Sequence, residues 1–139
     1  MRLKEYDLAE AATILIAVGD GVLADSLRFS LELEGFDVRL CDEHSLRGLL
    51  ARTGAAGCLV LDHGVFARLV SGNPESRFAE ADFPVILMVG HKTETVLARA
   101  KQAGVTRIVE EPLLGEVLLK AIEAALREHV PHGRWHRPH

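Results

Sequence analysis

Few side chains in this sequence stand where they could do chemistry, and most of them are acids at the ends of apolar runs. Asp62 follows Gly57-Cys58-Leu59-Val60-Leu61, Asp20 follows an earlier run that closes at Val18-Gly19, and Glu110-Glu111 ends a later one. An acid in such a place is commonly a helix N-cap or a surface group, and what more it can do depends on its neighbours. His63, beside Asp62, has the chemistry of a general base, but it reads as the first residue of a loop. His129, His132, His136 and His139 recur at spacings of three and four that suit a metal ion. Pro131, Gly133 and Pro138 interrupt any helix that would align them, so no metal site is expected there. Cys41 and Cys58 lack the CxxC spacing of a zinc or redox site and suggest no disulfide framework.

The elements that must carry these residues alternate regularly. Thr13 to Val18 is a continuous apolar run, as expected of a strand buried on both faces. Leu23, Leu27 and Leu31 then recur every fourth residue, predicting an amphipathic helix over 22–34 that Gly35 stops. A short strand over 36–41 follows, and a weaker helix over 43–53 with Asp42 as its N-cap. The run 57–61 delivers Asp62 at its end, and a short helix passes through Phe66 and Leu69. Pro84 to Val89 predicts a fourth strand, 93–103 a helix ended by Gly104, 106–109 a fifth strand, and 112–129 a last helix. Five strand–helix units in strict alternation predict a doubly wound α/β domain, a parallel sheet with helices on both faces. Ligands in such folds gather beyond the C-terminal ends of the central strands. Here that rim consists of Val18-Gly19-Asp20, Asp62-His63, Val89-Gly90 and Glu110-Glu111-Pro112.

Composition narrows the class further. With 16 Lys+Arg against 20 Asp+Glu the net charge is −4, which argues against duplex DNA as the main partner. At 139 residues and 48% hydrophobic, the chain can bury a core as one domain, with no apolar run near the roughly 20 residues of a membrane span. The N-terminus MRLKEYDLAEAA lacks the apolar centre of a secretory signal, so a cytoplasmic location is expected. We divide the chain into an N-terminal extension (1–11), the domain (12–129) and a basic tail (130–139), which leaves no room for a folded effector.

Over roughly residues 12–128 the spacing resembles the receiver domain of bacterial two-component response regulators. The resemblance implies a five-stranded flavodoxin-like sheet of order 2-1-3-4-5 flanked by five helices. It also implies a site of two adjacent acids after the first strand, a phosphoacceptor Asp after the third, a Ser/Thr after the fourth, and a Lys-Pro after the fifth. Asp62 matches the phosphoacceptor, a carboxylate nucleophile that takes a phosphoryl group. The other positions depart. Aligning Leu27, Leu31 and Gly35 puts Val18 and Gly19 at the two acids, with Asp20 one residue beyond. Neither Val18 nor Gly19 offers a side-chain oxygen to a hard Mg²⁺ ion, and Asp20 is expected to cap the following helix. Mg²⁺ is therefore doubtful, held if at all weakly by Asp20 and Asp62, and no other cofactor is expected. Val89 fills the Ser/Thr position without its hydroxyl, and as a structural residue it simply completes a buried strand. Glu111 replaces the lysine, so it would repel Asp62 and any phosphate there by several kcal/mol.

Residues 127–139 carry three Arg and one Glu, and they include the single tryptophan, Trp135, flanked by Arg134 and Arg137. Such a residue suits docking onto a partner or a second copy, or else marks a frayed terminus. The last helix carries an apolar stripe of Leu114, Val117, Leu118, Ile122 and Leu126, and Leu113 and Leu119 widen it beyond what one sheet face needs. We therefore expect a non-enzymatic signalling module with a degenerate site, acting through contacts made by Leu113, Leu119 and Trp135. Its partners would be a sensor histidine kinase or another signalling protein, and a second copy in a homodimer. Two alternatives stay open at this level. Asp62 still accepts phosphate from a kinase, or the fold serves as a small-molecule binder. Against the latter, no Gly-rich phosphate loop follows the first strand, and Asp62-His63-Gly64 lacks the spacing of a cobalamin motif.

Overall fold

Strands with no polar face must be covered on both sides, and that requirement shapes this chain. The structure, a computed structural model, describes residues 13–50, 57–71, 78, 83–111 and 116–128. The boundaries drawn at 11/12 and 129/130 lie outside them. In chain order the elements are β1 (Thr13–Ala17), α1 (Gly21–Leu33), β2 (Asp37–Leu40), α2 (Glu43–Leu50), β3 (Cys58–Asp62), α3 (His63–Leu69), β4 (Val85–Val89), α4 (Glu94–Ala103), β5 (Arg107–Glu110) and α5 (Val117–Glu128). The strands form one parallel sheet of order β2-β1-β3-β4-β5, the doubly wound arrangement expected.

Side-chain alternation along the central strands divides the core in two. Ile14, Ile16, Cys58, Val60, Ile86 and Met88 face Ala24 and Leu31 of α1 and Leu118, Ile122 and Ala125 of α5. Leu15, Ala17, Leu59, Leu61, Leu87 and Val89 face the opposite layer, with Leu46 of α2, Val65, Phe66 and Leu69 of α3, and Ala100 and Ala103 of α4. Every residue of β4 is buried, which is why its sequence shows no polar alternation.

Helix ends follow from local chemistry. Asp20 accepts hydrogen bonds from the Val22 and Leu23 amides, and Thr93 accepts one from the Val96 amide. Asp42 accepts from the Ser45 amide, and that backbone bond, with help from the Ser45 hydroxyl, holds its carboxyl below the ordinary value. At the end of α1 the Gly35 amide donates to Glu32 and the Phe36 amide to Leu31, with Gly35 at φ 101°. Gly104 ends α4 in the same left-handed conformation at φ 90°.

Three expectations need correcting. The last helix does not run from residue 112: Glu116 sits in a turn and α5 begins at Val117, while 112–115 lie outside the described residues. Val117, placed on the buried stripe from sequence, is 45% exposed, because Leu118, Ile122 and Ala125 set a frame that turns it outward. His63 does not open a loop. It is the first residue of α3, because Asp62 caps that helix directly.

Both cysteines are free thiols. Burial pushes the Cys58 thiol from its ordinary value of 9.0 up to about 12. Between these values the unfolded chain ionises while the folded chain stays protonated, so the folded state binds more protons and stability falls as pH rises. Cys58→Ala is expected to show a shallower loss of stability than the parent between about pH 9 and 12. Urea unfolding at a series of pH values checks it, and equal slopes contradict the assignment.

Candidate functional site

The rim above the C-terminal ends of β1, β3, β4 and β5 holds the residues singled out in the sequence, and the parallel fold brings them there. Asp62 ends β3 with extended backbone (φ −92°, ψ 172°) and is half-buried. Its two oxygens have separate partners. Oδ1 accepts the Val65 amide at 2.8 Å, capping α3, and Oδ2 accepts the Gly19 amide at 2.8 Å from the β1–α1 loop. One carboxylate thus ties the end of β1 to the start of α3.

The surrounding positions are arranged as follows. Val18 is half-buried and packs on the core shared with α1 and α5. Gly19 contributes only its backbone, and a β-carbon added there would lie 3.6 Å from Asp62 Oδ2, an ordinary contact. Asp20 directs its carboxylate at its own helix. Val89 is 2% exposed and completes β4, the structural role expected of it. Glu111 donates its amide to the Val89 carbonyl, and its residue lines a groove between α1 and α5 together with Leu119. The acid of this segment that is engaged at the rim is Glu110, whose Oε2 accepts the Lys92 amide at 2.8 Å and tethers the loop after β4. Leu113, Trp135 and the four tail histidines lie outside the described residues.

A hard divalent cation needs several oxygen ligands in a near-octahedral shell. Val18 and Gly19 present no side-chain oxygen, Asp20 is turned to the α1 amides, and Asp62 already receives two N–H groups. Among the described residues no group of three His, Cys, Asp or Glu side chains is placed to hold a metal. This donor set does not fit the shell of a hard Mg²⁺ ion.

Sequence reasoning missed three contacts. The Gly19 amide is a backbone donor and leaves no side-chain signal. Glu110 stood next to the residue that drew attention. Arg68 of α3 pairs with Glu43 of α2 at 2.7 Å, and a β-carbon on Gly64 would lie 3.7 Å from Arg68 Nη1 and 3.6 Å from Asp62 Oδ1. The Arg68 guanidinium therefore reaches back to the Gly64 position beside the Asp62 cap, a spacing (62, 64, 68) that only the α3 geometry makes meaningful.

No protein-family model matches the chain. By sequence, an alignment 128 positions long that covers 85% of the chain shows 27% identity with the transcriptional regulatory protein FixJ of Bradyrhizobium diazoefficiens. The chain covers 58% of that protein's length. Among solved structures it superposes on FixJ-N with a TM-score of 0.65 at 23% identity, covering 86% of this chain and 96% of that one. The non-phosphorylated HemR receiver domain from Leptospira biflexa gives 0.65 at 19% identity, covering 87% and 98%. The chemotaxis protein CheY4 of Vibrio cholerae gives 0.66 at 16%, covering 82% and 98%. The fold is that of response-regulator receiver domains.

Two outcomes are expected from this geometry. Asp62→Ala removes the α3 cap and the tie to Gly19, and should cost about 2 kcal/mol in denaturant unfolding; a change within a few tenths would show that the carboxylate holds nothing. The quadruple variant Val18→Asp/Gly19→Asp/Val89→Thr/Glu111→Lys should bind Mg²⁺ more tightly than the parent by calorimetric titration. Equal affinity would show that these positions have been aligned wrongly.

Proposed function

We propose that this chain is a receiver-type module of two-component signal transduction whose phosphoacceptor site is impaired, and that it acts by protein–protein contact. The carrying observation is the state of Asp62: both carboxylate oxygens accept backbone amides, from Gly19 and Val65, while no acid stands at Val18 or Gly19 to bring a metal to it. An incoming phosphoryl group would also meet Val89, which has no hydroxyl to donate, and no lysine at Glu111 to neutralise its charge.

The reading goes on to partners. The receiver fold and the FixJ similarity support a sensor histidine kinase or another signalling protein as the contact, and a second copy of the chain in a homodimer. Neither enzymatic activity nor a bound cofactor forms part of it. None of the helices among the described residues is long and apolar enough to cross a membrane, and we place the protein's work in the cytoplasm. The acidic body, −6 over residues 1–126 against +2 over 127–139, makes duplex nucleic acid a poor partner for the domain itself. The transcriptional role in the relative's name stays with that longer protein.

Incubation with acetyl phosphate, with and without Mg²⁺, followed by intact-mass measurement tests the proposal. The expected result is no gain in mass under either condition. A stable gain of one phosphoryl group that disappears in Asp62→Ala would establish phosphotransfer and remove the central claim.

A further inference from the structure

Between α1 and α5 runs an open groove of about 620 Å³ that the two-layer core leaves unfilled. Its floor is apolar, with Leu23, Leu27 and Leu119, and acids stand along it at Glu34, Glu111 and Glu116. Among the described residues that line it, none is basic. Leu33, also on the groove, is 71% exposed. An apolar trough with carboxylates beside it is complementary to a segment that pairs an aromatic anchor with cations.

The chain itself carries one. Residues 129–139 contain Arg134, Trp135 and Arg137 and no acid. They follow directly on Glu128, the last residue of α5, which pairs with Arg107 at the first residue of β5. Glu128 therefore lies at the N-terminal edge of the sheet. α1 ends at that same edge, since Gly35 and Phe36 lead directly into β2, whose Asp37 pairs with Thr13 of β1. The segment thus starts at the same end of the domain as Leu33–Glu34. Seven extended residues from Glu128 to Trp135 span roughly 23–25 Å, and the 13 residues of α1 are about 20 Å long, so Trp135 can reach any part of it.

We propose that residues 129–139 dock in cis into the α1–α5 groove, with the Trp135 indole on Leu27 and Leu119 and Arg134 and Arg137 facing Glu34, Glu111 and Glu116. The docked segment covers the groove face of α1, the exposed Leu33 included. The docking itself stands whether or not Asp62 takes phosphate.

Trp135 is the only tryptophan, so its fluorescence reports this contact alone. In the full chain, acrylamide quenching of Trp135 should be several-fold weaker than in a synthetic peptide of residues 129–139, and unchanged over a hundred-fold dilution. Glu34→Lys/Glu116→Lys changes two exposed positions and should raise quenching to the peptide's level while circular dichroism stays that of the parent. Methyl NMR supplies a second readout: Trp135→Ala should shift Leu27 and Leu119 and leave Leu87, in the opposite layer, unmoved. Quenching equal to the peptide's, or no response to charge reversal in the folded variant, overturns the proposal. Protection lost on dilution assigns the groove to the tail of a second copy and overturns docking in cis.

Discussion

The constraint on which the rest of this structure depends is the two-sided burial of β3 and β4. Leu59, Val60, Leu61 and Val85 to Val89 have no solvent face, so each layer of the core must be supplied by helices from the intervening segments. Burying an aliphatic side chain of this size is worth about 1.5–3 kcal/mol, and both layers of the core are built on these two strands. Parallel strands in turn demand crossovers, and crossovers send every strand in the same direction. The polar residues at the strand ends therefore collect at one rim. Asp62, Glu110 and the Gly19 amide meet there because the hydrophobic pattern leaves them nowhere else to go.

At that rim the chemistry is spent on holding the backbone together. Asp62 bridges two loops, Glu110 holds the Lys92 amide, and Asp20 caps α1. The carboxylates of Asp62, Asp20 and Glu110 each accept an N–H of the main chain, while Glu111 is held through its own amide on the Val89 carbonyl. Such bonds contribute on the order of 1 kcal/mol each, more when the acceptor is charged, and they fix the loops between the sheet and its helices.

Much of this was legible in the sequence, for physical reasons that can be named. Continuous apolar runs at 13–18 and 84–89 mark strands buried twice, and Asp20, Asp42, Thr93 and Gly104 mark helix ends through side-chain acceptors or a left-handed turn. What the pattern could not carry is equally specific. The Gly19 amide has no side chain to signal that it donates to Asp62. His63 looks like a loop residue because α3 is only seven residues long and shows no full apolar period before Phe66. Val117 falls on the apolar stripe that the sequence shows along the last helix, yet it is largely outward. The true phase is set by Leu118, Ile122 and Ala125.

The two-amide clasp on Asp62 has an evolutionary consequence. The clasp uses both carboxylate oxygens, and an asparagine offers only one carbonyl oxygen, so it would leave either Gly19 or Val65 without an acceptor. Selection for a well-formed β1–α1 loop and α3 start would thus preserve aspartate at this position even in lineages where no phosphoryl group ever arrives. An aspartate retained after the third strand is then a record of backbone architecture, and its persistence among diverged sequences carries little information about phosphorylation unless its acidic and basic neighbours persist with it.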